Sequence, residues 1–388
     1  VVLDNLPEIE DVQVMMGILR ALGSKVERLK RRSYRIQTRD IRGCSVPLEQ
    51  ARQIRASILF AGPLLARCGK VTLPPPGGDV IGRRRLDTHF LALKALGARV
   101  EIDGAFSIVA NKLAGADIFL DEASVTATEN AIMAAALSEG ATTIQNAASE
   151  PHVQDLCHLL NAMGADIGGI GSNILQIRGV RALHGAQYKI STDFMEVGSL
   201  IGLAAVTRSE LEILDAAPEF QRMSRIAFGR LGIHWETDGQ TIRVPAGQEL
   251  RVVPDIGGMI PKIDDAPWPG FPPDLISIAL VTATQVEGTV LIYEKMFESR
   301  MFFVDKLIGM GARIILCDPH RCVVQGRSQL YGDELESPDI RAGMALLCAA
   351  LCAHGASTIR NVGQIDRGYE RIEEKLRSLG AHIERITV

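Results

Sequence analysis

The chain has 388 residues, of which 47% are hydrophobic, 23% charged and 5% aromatic. At roughly 100–200 residues per domain it holds two or three domains with cores of their own, and its composition excludes a disordered chain, a collagen and a disulfide framework. Forty-two Lys and Arg against 46 Asp and Glu give a formal charge of −4, too mild for a polyanion-binding surface, so no nucleic-acid partner is expected.

In chain order, the start at Val1 shows neither a signal peptide nor a basic transit segment. It lacks an initiator Met, which suggests that the natural start is missing. A helix ending in Leu or Met, then Gly, then a short strand is predicted at LRALGSKVER (19–28), LKALGARVEI (93–102) and LNAMGADIGG (160–169). The same pattern returns at FGRLGIHWET (228–237), LIGMGARIIL (307–316) and LRSLGAHIER (376–385). The glycines fall at 23, 97, 164, 232, 311 and 380, a period of about seventy residues. Gly is expected there because a helix commonly ends on a left-handed residue.

A second, more apolar helix is predicted at SILFAGPLLARCG (57–69), IMAAALSEG (132–140), LIGLAAVTRSE (200–210), LISIALVTATQVEG (275–288) and MALLCAALCAHG (344–355). A helix with no polar face is buried on every side. Strands such as TTIQN (142–146) and STIRN (357–361) follow. Seventy residues is too long for a solenoid repeat, so each unit reads as a small α/β module. Six modules suggest two lobes of three, residues 1–191 and 192–388, crossing near 189–197. The alternative, one extended sheet, suits helices buried on all sides less well. Ligands often bind in clefts between domains.

The seven cysteines (44, 68, 157, 317, 322, 348 and 352) form no Cys-x-x-Cys pair. Cys348 and Cys352 read as small buried hydrophobes in an apolar run. No metal site is expected, and a reducing, cytoplasmic setting fits best. The longest apolar stretches are about a dozen residues, short of the roughly 20 that span a bilayer, so no membrane insertion is expected.

Several constellations carry charge chemistry. The loop Pro74-Pro75-Pro76-Gly77-Gly78-Asp79-Val80-Ile81-Gly82 leads into Arg83-Arg84-Arg85. Guanidinium donors match phosphate and carboxylate oxygens, although a solvated turn with surface arginines gives the same pattern. Asp79 reads as an acid, a base or a turn residue. Single arginines stand beside small or acidic residues at Arg55, Arg300, Arg341 and Arg367, several at corresponding points of the repeats. Alone, each is a surface ion pair worth under about 1 kcal/mol; together they can converge on one cleft. Trp268-Pro269-Gly270-Phe271-Pro272-Pro273-Asp274 is a rigid turn that brings a carboxylate to the start of a buried helix, where it can also act as a cap.

With these motifs in view, the chain resembles the enolpyruvyl transferases, of the UDP-N-acetylglucosamine 1-carboxyvinyltransferase type, over essentially its whole length. The marks are RASILFAGPLLARCG (55–69), LPPPGGDVIGRRRLDTH (73–89), SVTAT (124–128), FPPD (271–274), FESR (297–300), DIRAG (339–343) and IDRGYERIEEKLRSLGA (365–381). The Gly-Asn-Ala-Gly-Thr segment of the related EPSP synthases is absent from the sequence. The resemblance implies an α/β fold of two lobes, each of three βαβαββ repeats around buried helices. It also implies transfer of enolpyruvyl from phosphoenolpyruvate to the 3-hydroxyl of UDP-N-acetylglucosamine, with release of phosphate, in peptidoglycan precursor synthesis. No cofactor or metal is implied.

Residue by residue, Arg55 matches the family arginine on the sugar nucleotide, and Arg84 the one shared between that ligand and the phosphoenolpyruvate phosphate. Asp87, Ser124 and Val125 match contacts to the uridine and diphosphate. Asp274 matches the carboxylate on the sugar 3-hydroxyl. Arg300, Arg341 and Arg367 match the grip on the small trianion, with Asp339 as acidic partner; Asp79, Asp274 and Arg367 are the catalytic candidates. The family's Lys-Asn pair has no counterpart, because the resemblance begins downstream of it. Most members carry a cysteine where Asp79 stands. Glu122, Thr126 and Arg85 replace the usual lysine, glycine and proline. A different enolpyruvyl acceptor, or a degenerate paralogue that binds without turnover, are the alternatives these departures leave open.

Overall fold

A computed structural model describes residues 1–386; Thr387 and Val388, the last two residues of the expected second lobe, lie outside the described residues. Each of the six repeat glycines has the left-handed backbone that lets a helix stop without a Cβ clash, with φ of 100° at Gly23, 102° at Gly97, 96° at Gly164, 75° at Gly232, 105° at Gly311 and 99° at Gly380. The helices that they close are Glu10–Ala21, Asp87–Ala95, Pro151–Ala162, Arg222–Gly229, Val304–Gly309 and Ile372–Ser378.

After the first five, the chain runs into an antiparallel pair. Lys25–Lys30 joins Ser33–Gln37, Arg99–Asp103 joins Ala105–Val109, and Asp166–Gly168 joins Ile174–Arg178. Likewise Glu236–Asp238 joins Thr241–Val244, and Ile314–Asp318 joins Arg321–Gly326. The sixth strand, expected at 381–385, does not form. No following strand offers it a ladder among the described residues, and the Ile383 carbonyl instead accepts a bond from Arg377 Nε at 3.1 Å.

Among the described residues the strands make six small sheets rather than one extended sheet. The chain divides into two compact units, Val1–Asp79 with Arg84–Ser191, and Val80–Arg83 with the chain from Thr192 onward. In the first unit, Val2–Asp4 lies parallel to Gln187–Lys189, so the end of the unit returns to its beginning. Each unit has a core of its own.

The apolar helices are buried as their composition requires. In the first unit they are Ala61–Cys68, preceded by a 3-10 turn Arg55–Phe60, and Val125–Ala135. In the second they are Phe194–Thr207, Ile276–Thr284 and Ile340–Cys352, which pack on one another. Every residue of Ile276–Thr284 is buried. Where the sequence offers Ser209 in place of glycine, Arg208 takes the left-handed turn instead, at φ 55°.

Candidate active site

The second unit gathers its charges where its buried helices begin. Asp193 caps Phe194–Thr207, its Oδ1 accepting the amides of Met195 (2.9 Å) and Glu196 (3.3 Å). Asp339 caps Ile340–Cys352 in the same manner, accepting from Arg341 N–H at 2.8 Å and Ala342 N–H at 2.9 Å. Asp274 lies in the 3-10 turn Pro273–Leu275 ahead of Ile276–Thr284. Short acidic residues suit these places because helix N-termini carry unsatisfied N–H groups and partial positive charge.

Asp274 is held by two arginines. Arg300 Nη2 donates to its Oδ1 at 2.6 Å, and Arg341 Nε to its Oδ2 at 2.9 Å. Burial pushes the Asp274 carboxyl up, but the charges of Arg341 and Arg300 outweigh it and hold the group well below the usual carboxylate range. Burial likewise opposes the Arg341 charge, and Asp274, with Tyr369 and Asp193 behind it, raises its pKa on balance. Arg341 Nη1 also donates to the Tyr369 hydroxyl at 3.2 Å, which sits 2.8 Å from Ser199 Oγ. Arg300 stacks over the Phe297 ring at 4.9 Å, and its buried Nε has no partner. Arg367 follows the short helix Gly363–Asp366, two residues before Tyr369, with Nη1 donating to Gln364 Oε1 at 3.0 Å. Two guanidiniums on one carboxylate leave a net positive charge, which suits an anion.

The first unit builds with main-chain partners. Arg55 opens the 3-10 turn and sends Nη2 to the carbonyls of Arg84 and Arg85, both at 2.9 Å. Burial and the nearby Arg84 charge bring Arg55 down to about 10, with Glu122 acting in the opposite sense. Glu122 at the usual lysine position is thus a counter-charge for Arg55. Asp87, exposed at the start of Asp87–Ala95, and Asp121 receive Arg85 Nε and Nη2, both at 3.1 Å. Ser124 caps the helix that Val125 opens, its Oγ accepting Ala127 N–H at 3.4 Å.

The proline-glycine loop is pinned by its glycines. Gly77 N–H donates to the Ala51 carbonyl at 3.0 Å, and a Cβ at Gly77 would lie 1.6 Å from the Arg52 carbonyl oxygen. Only glycine fits that approach. Asp79 is half-buried immediately afterwards. The next residues group with the second unit: Ile81 accepts from Ser299 N–H at 3.2 Å, and Arg83 N–H donates to Glu298 Oε2 at 3.1 Å.

The sequence assigns no role to some site-shaping residues, although His89, Thr126 and Tyr369 lie inside its motifs. Buried His89 joins Thr126 Oγ1 (3.1 Å) to Asn130 Nδ2 (2.9 Å), and Asn130 ties the Ile58 carbonyl and the Gly62 amide. Thr126 replaces the usual glycine, so its hydroxyl belongs to this network. Tyr369 and Ser199 support Arg341. Ser199 shows in the sequence only as a polar residue inside an otherwise apolar helical run, whereas Tyr369 lies within the motif 365–381, in the turn between two short helices. Among the described residues, no group of three or more His, Cys, Asp or Glu is placed to hold a metal ion, and no helix is long and apolar enough to cross a membrane.

Comparison with known proteins bears on the family and the fold. A profile of the family described as EPSP synthase (3-phosphoshikimate 1-carboxyvinyltransferase) matches residues 1–376. The UDP-N-acetylglucosamine 1-carboxyvinyltransferase of Treponema denticola is 65% identical over 384 residues, 99% of this chain and 90% of its own length. That of Bradyrhizobium diazoefficiens is 58% identical over 386 residues, 100% of this chain and 90% of its own. Among solved structures, the enolpyruvyl transferase NikO of Streptomyces tendae superposes with a TM-score of 0.85 at 24% identity, covering 99% of this chain and 89% of that one. An EPSP synthase of Acinetobacter baumannii gives 0.72 at 17% identity, over 99% and 90%. At those identities the likeness is one of fold. The profile match over residues 1–376 and identities of 58–65% over nearly the whole chain place this chain in the enolpyruvyl transferase family, among the UDP-N-acetylglucosamine 1-carboxyvinyltransferases.

Proposed function

We propose that this chain transfers the enolpyruvyl group of phosphoenolpyruvate to the 3-hydroxyl of UDP-N-acetylglucosamine and releases phosphate, in cytoplasmic synthesis of a peptidoglycan precursor. The observation that carries the reading is the Asp274 carboxylate between Arg300 and Arg341, a charged pair of donors left net positive beside a potential base. The names of relatives at 58–65% identity supply the acceptor.

The reaction runs as addition and elimination. Asp274 takes the 3-hydroxyl proton, the oxygen bonds to C2 of phosphoenolpyruvate, and an acid protonates the methylene carbon. Loss of a proton from that carbon then expels phosphate and restores the double bond. Asp79 is the acid in this scheme. Arg300, Arg341 and Arg367 hold the trianion, with Asp339 fixing the Arg341 main chain. Arg55, Arg84, Asp87, Ser124 and Val125 take the sugar nucleotide. Preorganised charge of this kind commonly lowers a reaction barrier more than any other single effect.

Asp274, bound to two arginines, is too weak a base to take a hydroxyl proton. An anion sharing those arginines draws their charge away and raises its basicity. Phosphoenolpyruvate binding thereby activates the base for the second substrate. The test is phosphate release. Release that requires both phosphoenolpyruvate and UDP-N-acetylglucosamine supports the reading; release with shikimate 3-phosphate instead, or none with either acceptor, refutes it.

A further inference from the structure

Two carboxyl groups in the second unit have no part in this scheme. Glu294 and Asp265 are both 0% exposed, and acidic residues are almost never fully buried without a partner. Their placement follows from the sheet. Lys262–Asp264 runs parallel to Gly288–Tyr293 with Asp264 opposite Tyr293, so the next residue of each strand is Asp265 or Glu294.

Together they grip the start of the segment that leads to Arg300. Asp265 Oδ1 accepts Lys295 N–H at 2.5 Å, and its Oδ2 accepts Met296 N–H at 3.2 Å. Glu294 Oε1 accepts the amides of Met296 (3.2 Å) and Phe297 (3.1 Å). Three consecutive amides are thus fixed by two carboxyl groups, and Phe297 carries the ring under Arg300.

Glu294 Oε2 is buried and has no partner. An ionised oxygen in that position would be strongly disfavoured. Both carboxyl groups accept the Met296 amide and so lie side by side, within side-chain hydrogen-bond reach, and a proton on Glu294 shared with Asp265 removes the repulsion between them. Burial first, and Asp265 next, push Glu294 up to about 9, against the opposing charge of Arg300. His320 is the other titratable neighbour, its Nδ1 2.8 Å from the Glu294 carbonyl and its own carbonyl accepting Glu294 N–H at 2.8 Å.

We propose that Glu294 stays protonated on Asp265, and that this proton-sharing pair is a positioning device that sets the 295–300 segment and, with no charge on Glu294 itself, leaves the charge of Arg300 to Asp274 and the substrate anion. The inference rests on the reading that Arg300 grips phosphoenolpyruvate. An ionised Glu294 would compete for that guanidinium.

Three variants of the full chain test it. Glu294→Gln keeps the shape and a donor toward Asp265 but cannot ionise. Glu294→Ala removes the link, and Asp265→Asn keeps a carbonyl acceptor but removes the charge that helps to hold the proton on Glu294. In the ligand-free protein, hydrogen exchange of the 295–297 amides is expected to match wild type in Glu294→Gln and to be at least tenfold faster in Glu294→Ala. In turnover, the wild-type KM for phosphoenolpyruvate is expected to rise several-fold as pH passes about 9, to stay flat over that range in Glu294→Gln, and to rise at lower pH in Asp265→Asn. If Glu294→Gln loses amide protection, or shows the same alkaline rise in KM as wild type, the proposal is overturned. A wild type without enolpyruvyl transfer refutes the functional reading instead, and the exchange experiment still decides the pair. Should Glu294→Ala fail to fold, Glu294→Gln and Asp265→Asn carry the test.

Discussion

The two units hold their arginines by different means. In the second, Arg300 and Arg341, with side chains only 9% and 16% exposed, meet a carboxylate where buried helices begin. In the first, Arg55 is tied to two neutral carbonyls of a loop, and the 40% exposed side chain of Arg85 reaches carboxylates open to solvent. Charge-assisted bonds in a water-poor setting are strong and set their geometry in advance, whereas carbonyl contacts and exposed pairs contribute little and rearrange. In the proposed reaction the second unit therefore serves as a preorganised anion grip, and the first as a loop that a ligand can reshape.

The largest break in this comparison is Arg341→Ala. It leaves Asp274 with one partner and Tyr369 with one fewer, and unpairing a buried charge costs about 3–5 kcal/mol. We expect kcat/KM to fall by about 10²–10⁴ and the melting temperature to drop. Steady-state kinetics beside thermal denaturation checks both, and a variant within fivefold of wild type would dissolve the contrast.

Asp79→Ala comes next. Proton donation by a placed side chain is worth about 10²–10⁴-fold, and the half-buried position gives water partial access, so we expect a loss of about 10²–10³ in kcat. Asp79→Cys should keep activity and gain time-dependent inactivation by the epoxide fosfomycin, because a thiolate attacks epoxides far better than a carboxylate does. Intact mass should show the adduct in that variant and not in the wild type.

On the first unit's side, Arg55→Lys loses the fork that spans the Arg84 and Arg85 carbonyls. Two neutral acceptors at about 1 kcal/mol each predict a rise of roughly 5–30-fold in KM for the sugar nucleotide with kcat little changed. A large fall in kcat would mean that Arg55 is as tightly built into the chemistry as Arg341.

The last effect is on stability and leaves the chemistry untouched. Burial, with the Arg55 charge added, pushes His89 down to about 3 from 6.5. The folded chain therefore keeps His89 neutral where the unfolded chain would protonate it. The stability that His89 contributes is complete above about pH 6.5 and is lost as pH falls towards 3, at up to ~1.4 kcal/mol per pH unit. Denaturation in urea at pH 5 and 7 should show this slope in wild type and lose it in His89→Asn.

What the sequence disclosed follows from the range of each interaction. The six glycines were legible because a left-handed helix end is a local requirement, and the apolar helices because burial shows in composition. The missing sixth strand was not, since a strand exists only with a partner, and AHIER resembles the five segments that have one. Motifs supplied Asp274, Arg300 and Arg341 one at a time, but the pairing of residues 67 apart belongs to the fold. Glu294 left a trace of its own in the pattern. Val290 and Ile292 are the buried residues of Gly288–Tyr293, and the same alternation puts 294 on that face. A glutamate there looks like an ordinary surface charge unless the period is followed past the strand.

Everything in the proposed reaction turns on Asp274 becoming the base for the acceptor hydroxyl once the substrate anion has drawn its arginines away. UDP-N-acetylglucosamine-dependent phosphate release by Asp274→Asn, with phosphoenolpyruvate binding followed in parallel by calorimetry, addresses that step without intermediaries. Phosphoenolpyruvate should still bind, since Arg300 and Arg341 lose a competing carboxylate, while kcat falls at least about 10²-fold. A variant that turns over within threefold of wild type would contradict this role for Asp274.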